Sequence, residues 1–278
     1  MARRHYENFP VASLLLPAAI RPSVAAIYAF ARQADDIADE GTAPAAQRLV
    51  QLDDYDRQLM RLAQQQPVND PVFIALSDTI RRHQLPLQLF HDLISAFRQD
   101  ITVTRYHSDA EVLDYCRRSA NPVGRLLLHL TGQASPENLR QSDLICSALQ
   151  LINFLQDLAQ DYDENNRIYL PLDLMQQYGV SETHFRNKLG DDALQHLMDD
   201  RIRYAQDLLL RGAPLAWRLP GRLGLEIRLT VFGGLRILQH KRRATMDAFS
   251  RPRLDTRDKI WIVAQALTRS QPEAKPET

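Results

Sequence analysis

Two pairs of aspartates hold the chemistry this chain can do. Asp35 and Asp39 close the stretch from Ala25 to Asp39, and Asp157 and Asp161 close the stretch from Leu149 to Asp161. Each pair is four residues apart, so on a helix both carboxylates project from one face. The polar line extends upstream in both stretches. Tyr28, Arg32, Asp35 and Asp39 follow i, i+4, i+7, i+11, and Gln150, Asn153, Asp157 and Asp161 follow i, i+3, i+7, i+11. Mostly Ala, Ile, Leu and Phe lie between them. A surface helix shows a broad polar face, whereas a narrow polar line on an apolar helix is expected where a helix lines an interior cavity. Like charges one turn apart repel by roughly 0.2–0.5 kcal/mol in water, and by more when desolvated. Two such pairs call for cations. Two solvated acidic helix ends would be the ordinary explanation of either pair alone, but it accounts less well for two matching stripes.

Mg²⁺ takes oxygen ligands in octahedral geometry, commonly one or two carboxylates with waters and substrate phosphates. The expectation is that the four aspartates meet across an apolar hollow and hold a diphosphate through Mg²⁺, which neutralises the charge that builds on this leaving group. Arg32, one turn before Asp35, is placed to hydrogen-bond the same phosphate oxygens. Arg167 and Tyr169 lie in the Asn165–Pro171 loop after the second stripe and are expected to close over it. Departure of diphosphate leaves a carbocation, which an apolar, aromatic-lined pocket shelters and stabilises. Phe9, Tyr28, Phe30 and Phe154 are candidates for that lining, with ordinary core packing as the alternative for each.

The elements that position these residues read as helices throughout. Hairpin dipeptides and β-branched clusters are nearly absent, while helix punctuation recurs. Arg21-Pro22-Ser23 opens the first acidic helix and Glu40-Gly41 closes it. Helices are predicted from Pro44 to Gln66, from an Asp70 cap to His83, from Pro86 to Ile101, and from a capping box at Ser108–Glu111. Asn121-Pro122 interrupts the last of these, and Gly132 ends its continuation. Ser135-Pro136-Glu137 starts one long helix that runs through the second acid pair. Further helices are predicted to start at Ser181, to run from Asp191 to Arg211, from Gly221 to Phe249 (softened at Gly233-Gly234), and from an Asp255 cap to Thr268. The fold class is all-α: one domain over residues 1–269, its helices surrounding a central cavity, followed by a polar tail at 270–278.

The 278 residues hold 34 Lys plus Arg against 34 Asp plus Glu, a balance that argues against a general nucleic-acid binder. Cys116 and Cys146 form no metal motif and no disulfide framework. No zinc-ligand spacing, nucleophile elbow, P-loop or Gly-rich dinucleotide fingerprint is present. No apolar run approaches the roughly 20 residues that span a bilayer, so the expected location is the cytoplasm, at most on the inner face of the membrane. The basic run His240–Arg243 reads as a solvated helix face, or alternatively as a contact for anionic headgroups.

These stretches resemble the squalene/phytoene synthase family, enzymes that join or rearrange prenyl diphosphates head to head. The likeness rests on Tyr28–Asp39, on Tyr115-Cys116 through Gly124, and on Gln150–Asp161 with Arg167–Pro171. It spans roughly residues 5–250 and implies the isoprenoid synthase fold. It further implies Asp35, Asp39, Asp157 and Asp161 as Mg²⁺–diphosphate ligands, and Arg32, Arg167, Gln150 and Asn153 as diphosphate contacts. Tyr115 and Tyr169 would be pocket residues, and His5 would reach the diphosphate. Three departures stand out: Ser119-Ala-Asn-Pro122 in the middle stretch, Gln156 where many members have Arg, and Leu238 where a pocket tyrosine is common. The opening His5–Ser13, the Ser119–Pro122 stretch and the Asp35–Gly41 ending resemble a branch that takes presqualene diphosphate from a sister enzyme and lets water capture the rearranged cation. Sister enzymes and a membrane surface are the partners this implies. Two alternatives stay open: a condensing enzyme for two prenyl diphosphates, and a non-catalytic prenyl-lipid binder.

Overall fold

The computed structural model describes residues 15–39, 42–243, 247–268 and 271–272. Fourteen α-helices are found among them: α1 Arg21–Asp39, α2 Ala45–Ala63, α3 Pro71–His83, α4 Gln88–Thr102, α5 Asp109–Ser119, α6 Asn121–Leu130, α7 Pro136–Gln156, α8 Leu158–Asn165, α9 Leu172–Gln177, α10 Glu182–Asn187, α11 Asp192–Gly212, α12 Leu215–Arg218, α13 Gly221–Arg243 and α14 Thr256–Leu267. The β structure among the described residues is one isolated parallel bridge, Arg105 to Ile168. The class is all-α, as the punctuation predicted.

The caps form where their chemistry places them. Asp70 accepts a hydrogen bond from the Val72 amide at 2.7 Å, with Pro71 in the first turn of α3. Asp191 accepts from the Leu194 amide at 3.0 Å to open α11. At the start of α14, Asp255 and Asp258 each accept the other's backbone N–H, at 2.8 and 3.0 Å. Each cap satisfies donors that have no partner inside the helix. At Ser108 the expected box is shifted by one residue, since Glu111 accepts from the His107 amide at 2.7 Å.

Two predicted helices are corrected. The long helix through the second acid pair breaks at Asp157 (φ −102°, ψ 17°), so α7 ends at Gln156 and α8 begins at Leu158. The one-turn register survives the break, because Asp157 N donates to Asn153 O and Asp161 N to Asp157 O, at 2.9 and 2.8 Å. The helix predicted to reach Phe249 runs to Arg243, and residues 247–250 form a turn. The Lys241 ammonium donates to the carbonyls of Ala248 and Ser250 at 2.6 and 2.8 Å. It thus holds that turn against α13 instead of letting the helix continue.

The chain falls into two compact units: one comprises Met1–Val103 with Arg117–Leu139, the other Thr104–Cys116 with Arg140–Thr278. In the first, α1 packs against α2, α3 and α4 through Val24, Ile27, Phe30, Ala31, Ala34 and Ala38. Phe30 meets Tyr55, Phe73 and Phe90 at ring distances of 5.0–5.8 Å, so it is a core residue and not a pocket wall. In the second, α13 packs against α11, α12 and α14. A Cβ on Gly212 would lie 2.8 Å from Gln141 O and 3.0 Å from Ile145 N, so this glycine lets α11 approach the α7 backbone. Phe232, Ile262 and Ala266 form a buried cluster that seats α14 on α13.

Candidate active site

In the first unit, Tyr28, Arg32 and Asp35 lie half-buried along α1, and Asp39 is exposed at its end. Arg32 reaches Asp35 at 3.3 Å and Asp36 at 2.5 Å. Burial pushes the Asp35 carboxyl up to about 7, with help from the charge of Asp39 and against that of Arg32. Asp100, buried on α4, adds to the same negative field. Asp100 is not among the residues expected from the sequence, though its spacing marks it. Leu89, Leu93, Ala96 and Phe97 mark the apolar face of α4, and Asp100 continues that spacing.

In the second unit, Asp157 and Asp161 flank the break between α7 and α8. Gln150 and Asn153 are half-buried on α7, two turns and one turn before Asp157. The Asp161 carboxyl is raised to about 8, first by burial and then by Asp157, with Arg167 opposing. Asp157 is gripped by a residue no local pattern announced: Arg251 Nε lies 2.5 Å from Oδ1 and Nη2 donates to Oδ2 at 3.2 Å. The neighbouring Gln156 donates to Pro252 O at 3.0 Å. The 247–252 segment is therefore fastened at three points, by Lys241, Gln156 and Asp157. The basic run His240–Arg243 is accordingly not one solvated face. Lys241 is buried under this segment, where burial lowers its ammonium pKa to about 8, and His240 pairs with Asp258 at 2.9 Å. Arg242 and Arg243 are exposed.

The loop carrying Arg167 and Tyr169 is tied to the 104–107 segment. Ile168 N donates to Thr104 O at 3.0 Å and Leu172 N to Tyr106 O at 2.9 Å. Arg105 ties the same loop by donating to Asn166 Oδ1 at 3.0 Å, and it pairs with Glu182 at 2.8 Å. Arg167 and Tyr169 are consequently buried, and Arg167 N donates to Asp161 O at 3.0 Å. Beside the acid pair the loop builds an aromatic wall. Tyr169 stacks on Phe154 at 3.6 Å with planes 5° apart, and Tyr115 lies 5.9 Å from Tyr169 and 6.1 Å from Phe154. Tyr106 completes the group, 5.5 Å from Tyr169. No periodicity singles out Tyr106, because it sits between helices. His5 and Phe9 lie outside the described residues.

Each unit thus offers an oxygen-only carboxylate pair with one strongly desolvated member, Asp35 or Asp161, a donor set that suits a hard divalent cation. Among the described residues no three carboxylate, imidazole or thiol groups converge as a ready metal cage.

A family model described as squalene/phytoene synthase matches residues 2–258. The chain belongs to that family. Hydroxysqualene synthase from Zymomonas mobilis is 37% identical over 225 residues, which cover 80% of this chain and 74% of that protein. The protein of the same name from Rhodopseudomonas palustris is 36% identical over 222 residues, with the same two coverages. Among solved structures, squalene synthase HpnC from Alicyclobacillus acidocaldarius superposes with a TM-score of 0.81 at 35% identity, covering 89% of this chain and 91% of that one. The squalene/phytoene synthase match takes in both acid pairs, the aromatic wall and Arg251.

Proposed function

We propose that the protein is a Mg²⁺-dependent hydroxysqualene synthase: presqualene diphosphate and water give hydroxysqualene and diphosphate. The observation that carries this reading is the second acid pair set beside the aromatic wall within one unit. A polar end suited to a metal–diphosphate adjoins a surface suited to a carbocation. The shared name of the two relatives, hydroxysqualene synthase, supports the product.

Bound Mg²⁺ supplies charge neutralisation to the departing diphosphate. Asp35, Asp39, Asp157 and Asp161 are the carboxylates assigned to hold it. Arg32 and Arg167 donate to phosphate oxygens, with Gln150, Asn153, Tyr28 and His5 assigned to substrate binding. When the carbon–oxygen bond breaks, both electrons leave with diphosphate, and the cyclopropylcarbinyl cation rearranges with opening of its ring. The faces of Tyr115, Phe154 and Tyr169 stabilise positive charge and exclude stray water until one water adds and gives up a proton. Tyr115, buried in this wall, is assigned a catalytic role.

The experiment is product analysis with presqualene diphosphate and Mg²⁺, with and without NADPH. Hydroxysqualene without NADPH is expected. Recovery of intact substrate, or of squalene only when NADPH is present, overturns the reading. The solved relative named squalene synthase favours a second reading, in which two farnesyl diphosphates are condensed. Presqualene diphosphate formed from farnesyl diphosphate alone, or squalene formed from it once NADPH is added, would establish it.

A further inference from the structure

Seven large hydrophobic side chains are exposed among the described residues, and three of them, Ile260, Val263 and Leu267, stand on the twelve-residue helix α14, 66%, 47% and 64% exposed. With the exposed Ala264 they follow i, i+3, i+4, i+7, which makes one continuous stripe and not scattered surface residues. The opposite face is occupied. Asp258, Ile262 and Ala266 are buried, Arg236 pairs with Asp258 at 2.6 Å, and the Arg236 guanidinium lies 5.2 Å over the Trp261 ring. The helix is thus seated by its inner face and carries a second apolar face outward.

The charges around that stripe point to its occupant. At about 100° per residue, Arg257 and Lys259 lie roughly 80° to either side of the stripe's centre line, and both are exposed. Arg253 is exposed just before the helix. The acids of this segment are committed elsewhere: Asp255 caps the helix, and Asp258 is shared between that cap, Arg236 and His240. Residues 269–278 hold no large apolar side chain with which to cover the stripe. An apolar strip bordered on both sides by long cationic side chains is what an anionic lipid surface recognises. The strip enters the acyl boundary while the cations extend to the headgroups. A second copy of this chain would instead set the Arg257 and Lys259 rims against each other.

We propose that α14 docks the protein on the surface of an anionic bilayer through Ile260, Val263 and Leu267, with Arg257, Lys259 and Arg253 on the headgroups. The inference adds to the proposed function a route by which a long apolar diphosphate arrives and a C30 alcohol leaves. It rests on that reading only for this purpose, since docking is measured without substrate.

The test is flotation of the full chain with vesicles of phosphatidylcholine alone or with phosphatidylglycerol added. Binding is expected on the anionic vesicles and should weaken as salt rises. It should fall at least about tenfold in the triple variant Ile260→Ser, Val263→Ser, Leu267→Ser, and also in Arg257→Gln with Lys259→Gln. Both variants should keep the wild-type melting temperature and the wild-type turnover of detergent-dispersed substrate. Wild-type protein that stays unbound to anionic vesicles, or a triple variant that binds like wild type, overturns the proposal. So does light scattering that shows a dimer which the triple variant dissolves, because the stripe is then a self-interface. Failure of turnover with docking intact would count against the proposed reaction alone.

Discussion

Asp157 and Asp161 differ in what surrounds them, and the difference sets what each substitution should do. Asp161 is desolvated, with its carboxyl raised to about 8, while Asp157 is held by Arg251. Replacing either Asp157 or Asp35 with Asn keeps the shape and removes a carboxylate that the proposed reaction assigns to the metal–diphosphate. A loss of at least about 10²-fold in kcat is expected, comparable with removal of other groups that stabilise transition-state charge. Steady-state rates at saturating Mg²⁺ check this, and undiminished turnover in Asp157→Asn would remove the carboxylates from the mechanism. Arg251 makes a complementary case. Arg251→Met leaves Asp157 with less positive charge nearby, so its carboxyl should titrate at higher pH. The pH needed for half-maximal binding of Mg²⁺ with inorganic pyrophosphate, read by calorimetry, should move upward.

The helices place these groups by two kinds of packing. Where α11 approaches α7, the backbone itself is the neighbour of Gly212, so Gly212→Ala forces the helices apart. A cost of about 1–3 kcal/mol is expected, as for other overpacked sites, measured by urea denaturation. Where α13 ends, a single ammonium organises the turn that follows. Lys241→Met fills the same space but leaves the carbonyls of Ala248 and Ser250 without their donor, at about 1–3 kcal/mol. Amide exchange should rise in the peptide covering 247–254 while the α11 peptides stay protected. Unchanged exchange there would mean that Gln156 and Arg251 suffice to hold the segment.

Taken as a whole, the protein carries acid groups that folding has made costly to ionise, one in each unit. Asp35 and Asp161 shift from 3.8 to about 7 and about 8. Between pH 4 and 8 the folded chain therefore holds more protons at these groups than the unfolded chain does, and their contribution to stability falls as pH rises through that window. A divalent cation favours the ionised forms, so its stabilising effect should be largest near pH 8. In protein treated with chelator, the melting temperature should decline from pH 5 to pH 8, and added Mg²⁺ should restore it most at the upper end. The double variant Asp35→Asn with Asp161→Asn should flatten both trends; identical trends in wild type and variant would assign them to other groups. No described helix is long and apolar enough to cross a membrane; attachment is tested at the exposed stripe of α14.

Much of this is legible in the amino-acid sequence. The i, i+4 acid pairs, the apolar stripes beside them and nearly every helix start follow from interactions within a few residues, and local periodicity and caps record such interactions directly. Other features belong to the tertiary structure alone. Arg251 reaches Asp157 across 94 residues, and the loop of Arg167 and Tyr169 is pinned by the 104–107 segment. Lys241, one cation in a basic run, is buried while Arg242 and Arg243 stay exposed. Phe30 reads like a pocket wall and is core, because α2, α3 and α4 close over it. Contacts between segments distant along the chain impose no repeat on either segment. Which ring becomes wall, which cation meets which acid, and which helix face is left uncovered are settled only when the helices pack.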